Sequence, residues 1–499
     1  MNASEDLGPG ADYLEDVRRV ARAFAGEAFE ALRREKVLPR SAWAPFVAVG
    51  RDYFGDSIRG SEHYTPFEVV LKGAWPARFE GGIERSGLEF PATYIFSFLE
   101  ACIARCCYPT EDYSAGADGV TRSIDELVDV LTTDSTEVAC CRVVTHLATV
   151  DDKPMRLGGV EIIPSDSAAH HQTASVLSAI DAAVPSARRA YSGEPPFVYD
   201  PPTAIIILRR TTSDEPYAHA DKLSGDIERF LLLIRLLFAG TVQSRYEVVG
   251  ASSLVSRMNS DLRRFEGGHG WNLIRRTIVL DAGAEPSVVG LGAMLDAVEI
   301  RREGMLISSF DMAVRKFNRS HVTGPWIDQI VDLATGLEAC LAGNKHDDDG
   351  LTLKLKHRAA VLLATTRDPA PAIFKDIGLL YGLRSTLVHG GNLKEAELRK
   401  IIAKLSTVPD DAPFGTATAH AVDRLRDLVR RCLLARVCLA SGPDPLWPFT
   451  KDVAVDYELS DELVRVAWRD RFHERLTSIA SAGAWDRPRV AVDFTSPTG

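Results

Sequence analysis

Apolar positions recur at helical spacing through most of the second half of this chain. In GPWIDQIVDLATGLEACLAG, Trp326, Ile330, Leu333, Leu337 and Leu341 fall on one stripe, and Pro325 stands where a first-turn proline belongs. The same period predicts helices over 302–318, 323–342, 351–366, 371–389, 394–405 and 416–440. A helical domain is therefore expected over 301–441. The last stretch, 442–499, reads as a Pro-rich link, an amphipathic helix in SDELVRVAWRDRFHERLTSIASAG and a tail.

The first 300 residues follow a different pattern. An amphipathic helix is expected within 1–36, and PATYIFSFLEACIARCC reads as a buried helix opened by Pro91. SIDELVDVLTT reads as another, with Ser123 as N-cap and Glu126 completing a capping box. EVACCRVVTHLATV, TAIIILRRTT, TVQSRYEVVG and LIRRTIVLDAG are rich in β-branched residues and read as strands. DKLSGDIERFLLLIRLLFAG reads as a helix ending at Gly240. The expected fold class is α+β: a mixed α/β region over 1–300, followed by an all-α bundle.

Composition narrows the picture. The 499 residues are too many for one ordinary core. No apolar run approaches the roughly 20 residues that span a bilayer. The acidic N-terminal stretch lacks the pattern of a signal peptide, so a cytoplasmic protein without membrane contact is expected. Eight cysteines include no C-x-x-C pair and read as small buried hydrophobes. The net charge of −11 argues against general affinity for nucleic acid. Between 351 and 410, however, ten Lys or Arg face five acids, a local excess of opposite sign.

Most motifs of known chemistry are missing or incomplete. GLGAML, from Gly290 to Leu295, has Leu where a dinucleotide-binding turn needs its third glycine. NKHDDDG lacks the ligand spacing of a calcium loop, and His170–His171 has no metal-spaced partner. No metal and no cofactor is expected.

One stretch remains, IFKDIGLLYGLRSTLVHGG. Ile373, Ile377, Leu380 and Leu387 mark an apolar stripe, and Gly390 and Gly391 read as the C-terminal stop. His389 is expected at the last helical position, where the helix dipole favours its charged form. Arg384 stands five residues before it, about 140° around an ideal helix. Histidine moves protons near neutral pH and arginine clamps phosphates. Together they suit attack of an RNA 2′-hydroxyl on its neighbouring phosphate, a reaction that needs no metal.

The three stretches GPWIDQIVDLATGLEACLAG, LTLKLKHRAAVLLA and IFKDIGLLYGLRSTLVHGG, in that order, resemble the Apea-like branch of the HEPN family. The resemblance implies a helical bundle with an R-x(4–6)-H motif near the end of one long helix, matched here by Arg384 and His389. It implies a homodimer that brings two motifs to one cleft, and RNA as partner. Many such domains are metal-independent endoribonucleases in anti-phage, toxin–antitoxin or RNA-processing systems, and a regulatory partner protein is among the partners expected for this chain. Others are inactive scaffolds that bind RNA, nucleotide or protein. Ser385 departs from the pattern, in which Asn, Asp or His often follows the arginine, but as a polar group it is an expected auxiliary. Lys354, Lys356 and Arg358 are expected to guide the RNA strand, and Glu338 could orient a catalytic group across the bundle. A third reading, an unrelated enzyme in residues 40–290, finds no motif.

Overall fold

A computed structural model describes residues 11–34, 58–74, 92–106, 117–133, 135–164, 203–212, 219–251, 261–264, 276–300, 308–321, 325–342, 350–389, 394–441, 446 and 455–479. The class is α+β: helices dominate, and the larger sheet is wholly antiparallel.

Before residue 133 every described element is a helix: α1 (Ala11–Arg34), α2 (Tyr64–Ala74), α3 (Ala92–Cys106) and α4 (Ala117–Thr132). They share a core of their own, built on Phe24, Phe67, Phe98, Leu99 and Ile124. The Phe67 ring meets Phe24 and Phe98 at 5.3 Å each, so aromatic contacts join three of the helices. Ser123 is not an N-cap. It lies inside α4, donates to the Gly119 carbonyl at 3.0 Å and accepts from Arg105 at 3.0 Å. Arg105 also pairs with Glu126, so both residues of the expected capping box bind α3 instead.

The sheet comprises β1 (Thr136–Thr145), β3 (Met155–Leu157), β4 (Val160–Pro164), β5 (Ala204–Thr212), β6 (Gln243–Ala251) and β7 (Asp261–Arg264), in the order β3-β4-β5-β1-β6-β7. A parallel pair, β2 (Leu147–Thr149) and β8 (Ile278–Leu280), lies beside it. β3 and β4 join through Gly158 and Gly159, with φ of +56° and +84°. A two-residue hairpin turn of this hand needs two positive φ angles, which glycine adopts without strain.

The helix α5 (Ala220–Leu237) packs across β1, β5 and β6, and α6 (Ala284–Ile300) packs on α5. GLGAML lies inside α6, so it forms no cofactor-binding turn. The remaining helices are α7 (Ser309–Arg319), α8 (Trp326–Leu341), α9 (Leu351–Leu363), α10 (Ala370–Val388), α11 (Glu395–Ile402), α12 (Phe414–Ala440), α13 (Val455–Glu458) and α14 (Glu462–Ile479). All six helices expected between 302 and 440 are present, shifted by a few residues at most ends except the first, whose start lies at Ser309. Ser308 caps that helix: its hydroxyl accepts from the Asp311 N–H, and Asp311 returns a bond to the Ser308 N–H.

One continuous core runs from Val138 in β1 through Leu233 in α5 to Leu433 in α12 and Phe472 in α14. It passes residue 300 without a break. None of the described helices is long and apolar enough to cross a membrane.

α12 is the axis of this unit, and its burial is unusual. Arg424, Arg426, Arg430, Arg431 and Arg436 are all buried along it. Four of them reach carbonyls at or near the C-terminal ends of neighbouring helices. Arg430 donates to Leu236 of α5 at 2.9 Å, and Arg431 to Leu363 of α9 at 3.2 Å. Arg436 donates to Ala339 of α8 at 3.0 Å, and Arg426 to Ser320, just past α7, at 3.0 Å. The last carbonyls of a helix have no partner within it and carry the negative end of its dipole. A buried guanidinium satisfies both needs at once.

Carboxylates balance most of these charges. Arg424 donates to Asp368 at 2.8 and 3.0 Å and to Asp376 at 2.9 Å, and Arg431 also binds Asp368. Burial alone would raise the Asp368 carboxyl. The hydrogen bonds and charge of Arg424, then Arg431, outweigh it and hold that carboxyl below its usual range. Burial likewise opposes ionisation of Asp427, yet the charges of Arg431 and Arg430 hold it at about 2.

Two predictions follow from these pairs. Asp368→Ala leaves two buried guanidinium groups short of their acid, so a loss of about 3–5 kcal/mol is expected in urea unfolding. The depressed carboxyls contribute stability that is complete above the unfolded range near pH 4 and is lost as pH falls toward 2. Stability measured from pH 6 downward should hold to about pH 4 and then fall, and Asp427→Asn should flatten that fall by on the order of 2 kcal/mol.

Candidate functional site

α10 follows Pro369 and ends at Val388. Ile373, Ile377, Leu380, Tyr381 and Leu383 are buried against the bundle. Arg384 comes three residues after Tyr381 and so continues the same face. That position answers why an arginine stands in an apolar stripe: it lies along the bundle at 24% exposure, where a partner meets it.

The partner is Glu338 of α8. Arg384 Nη2 lies 3.7 Å from Glu338 Oε2, and Tyr381 Oη donates to the same oxygen at 2.9 Å. The guanidinium carbon of Arg384 sits 5.5 Å from the centre of the Tyr381 ring, a cation–π distance. Burial, then the hydrogen bond and charge of Glu338, push the Tyr381 hydroxyl up to about 12. Tyr381 therefore stays a donor at any ordinary pH. Arg384 Nε is buried and has no hydrogen-bond partner among the described residues.

His389 is one residue beyond the last turn, as the C-cap and not the final helical residue. Its N–H donates to the Ser385 carbonyl at 3.1 Å, while its side chain is exposed. The imidazole makes no hydrogen bond or ion pair with the described residues, and none joins it to Arg384. Ser385 is half-buried between them in sequence. Gly390 and Gly391 lie outside the described residues.

The basic stretch before this helix is not one surface. Arg358, expected to meet RNA, is buried, donates to Asp456 at 2.9 and 2.8 Å, and donates to the Leu341 carbonyl at 2.6 Å. Its donors are committed to the fold, so it is removed from the substrate-binding set. Lys356 is half-buried with its amine 4.1 Å from the centre of the Phe374 ring. Lys354 is half-buried and its charge acts on Asp456. The structure thus brings together Arg384, Tyr381 and Glu338, leaves His389 free at the helix end, and disperses the three basic residues of α9. Tyr381 was not among the expected residues. Its place three before Arg384, as the polar-tipped member of an apolar stripe, was the available signal.

The arrangement supplies an oriented cation and an exposed proton carrier at one helix end. Among the described residues no group of His, Cys, Asp and Glu could hold a metal ion. Comparison of the chain with family models, characterised proteins and solved structures finds no match.

The Tyr381 bond can be tested alone. Tyr381→Phe should cost about 1 kcal/mol in chemical denaturation, the worth of one ordinary hydrogen bond. Because the Tyr381 hydroxyl acts through Glu338, the loss in a Glu338→Ala, Tyr381→Phe double variant should be smaller than the sum of the single losses.

Proposed function

We propose that the chain is a metal-independent endoribonuclease of the HEPN type, with its working groups at the end of α10. The observation that carries this reading is an exposed, unengaged His389 five residues beyond an Arg384 held in place by Glu338 and Tyr381, at one helix end. The same end of the helix belongs to the stretch that resembles the family.

In this mechanism the RNA provides its own nucleophile. His389 takes the proton from a 2′-hydroxyl, whose oxygen attacks the adjacent phosphorus. Arg384 stabilises the added negative charge on the phosphoryl oxygens, and its buried Nε is a donor not yet committed to protein. The 5′-oxygen leaves and takes up a proton, giving a 2′,3′-cyclic phosphate and a 5′-hydroxyl. One histidine cannot be base and acid on both sides of the phosphorus at once. A two-fold dimer, with a second helix end facing the same phosphate, supplies the second proton carrier. Ser385 is an auxiliary polar group. The setting that fits this chemistry is defence or stress response in the cytoplasm, under a restraining partner.

A second reading, a non-catalytic scaffold that binds RNA, nucleotide or protein, draws on a specific observation. Glu338 already offsets the charge of Arg384, and the basic residues of α9 are turned to separate neighbours.

Cleavage of total RNA and tRNA in excess EDTA separates the two. The nuclease reading expects cyclic-phosphate ends from the wild type, and a loss of about 10²–10⁴-fold in His389→Ala. Binding of RNA without cleavage favours the scaffold. Equal cutting by wild type and His389→Ala would remove His389 from the reaction.

A further inference from the structure

A second polar cluster lies where α5, α7 and α12 meet. The residues Asn318 to His321, at the C-terminal end of α7, are gripped from two sides. Arg235 of α5 donates through Nη1 to Asn318 Oδ1 at 3.2 Å and to Glu228 at 3.0 Å, and through Nε to the Val242 carbonyl at 3.2 Å. Arg426 of α12 donates through Nε to Ser320 Oγ at 3.3 Å, and through Nη2 to the Ser320 carbonyl at 3.0 Å and Gln329 Oε1 at 2.9 Å.

These bonds leave one amino group over on each guanidinium. Arg235 is 1% exposed and Arg426 4% exposed, and Arg235 Nη2 and Arg426 Nη1 have no hydrogen-bond partner among the described residues. His321 is 3% exposed, with its ring set edge-on to Phe317 at 5.0 Å between centroids. Neither of its ring nitrogens has a partner among the described residues. Beside them Arg276 pairs with Asp423 at 2.8 Å, one turn before Arg426, and its Nε is also buried and unpartnered.

Charge points the same way as geometry. Arg235 shares Glu228 with Arg142, which also has Glu247, and Arg276 has Asp423. Among the described residues Arg426 hydrogen-bonds only neutral oxygens, and the carboxylate whose charge acts on it, Asp423, is the one already paired with Arg276. Two guanidinium groups thus draw on one carboxylate, a shortfall that a further negative charge would relieve. His321 cannot supply that charge. Burial first, and then the positive charges of Arg235 and Arg426, hold its imidazole neutral, well below its ordinary titration range.

We infer that Arg235, Arg426 and His321 form a buried binding site for a small oxyanion of the phosphate or sulfate kind, enclosed by α5, α7 and α12. The oxyanion accepts from both left-over amino groups and from the N–H of the neutral imidazole, and balances Arg426. It is a different place from the end of α10. Gln329, which holds Arg426, stands nine residues before Glu338 on α8, about 13 Å along the helix. The bound anion joins the helix that covers the sheet to the axis of the bundle, so it ties the two layers together.

The test uses the full chain purified in chloride buffer. Anions released on denaturation are measured by ion chromatography. Melting temperature is then followed against phosphate, and separately sulfate, at an ionic strength held constant with chloride. The expected result is either an equivalent of oxyanion released from the wild type, or a saturable rise in melting temperature with phosphate or sulfate. Arg426→Met should abolish both. His321→Phe keeps every arginine and fills the imidazole's space with an apolar ring, so it remains informative if Arg426→Met does not fold. It should weaken the anion at least about tenfold. Release of chloride alone, absence of both release and a saturable shift, or undiminished binding in His321→Phe would each overturn the site.

Discussion

The bundle is organised around guanidinium groups placed where helices end. A buried helix terminus is a problem for any compact α-helical protein, because its last carbonyls need donors that apolar neighbours do not have. α12 solves it from within the core. Its arginines reach the ends of α5, α7, α8 and α9, while apolar residues between them fill the space. Arg358 does the same for α8 from another side, through the Leu341 carbonyl. Each contact is directional, so helix ends that would otherwise slide are held at one level.

The sheet is joined to this bundle by the same means. Arg142 and Glu247 face each other across β1 and β6, and Glu228 of α5 draws Arg142 and Arg235 together. The chain of charge therefore runs from the sheet through α5 to α12, along the line of the continuous apolar core. Among the described residues the apolar core is continuous between the α/β part and the helical part. The four N-terminal helices are another matter, since their core is distinct.

Sequence periodicity revealed the helices of the C-terminal half because each buries a single apolar stripe, and β-branched runs revealed the long strands. It did not reveal what the buried arginines do. In α12 the stretch RLRDLVRRCLLAR carries five arginines, yet nearly every residue in it is buried. A charge pattern alone cannot tell a solvated face from one that meets carbonyls and acids on helices distant in sequence. The same ambiguity misled the reading of α9. Arg358 belongs to a run of basic residues that looks like a surface, but its partner Asp456 lies 98 positions away. At the candidate site, Arg384 and His389 were visible as residue types, and Glu338 was visible as a possible neighbour. That Tyr381 and Arg384 converge on it depends on how α8 and α10 pack, which local pattern does not encode.

The arginine caps also fix an order of events when the chain is made. The Leu236 carbonyl at the end of α5 waits for Arg430, which is 194 residues further on. At roughly 5–20 residues per second, that partner emerges about 10 to 40 seconds later. Until then the end of α5 lacks this donor, although Asn318, the partner of Arg235, emerges sooner, 83 residues on. The cap on the end of α5 therefore comes not from the α/β half itself but from α12, the axis of the bundle.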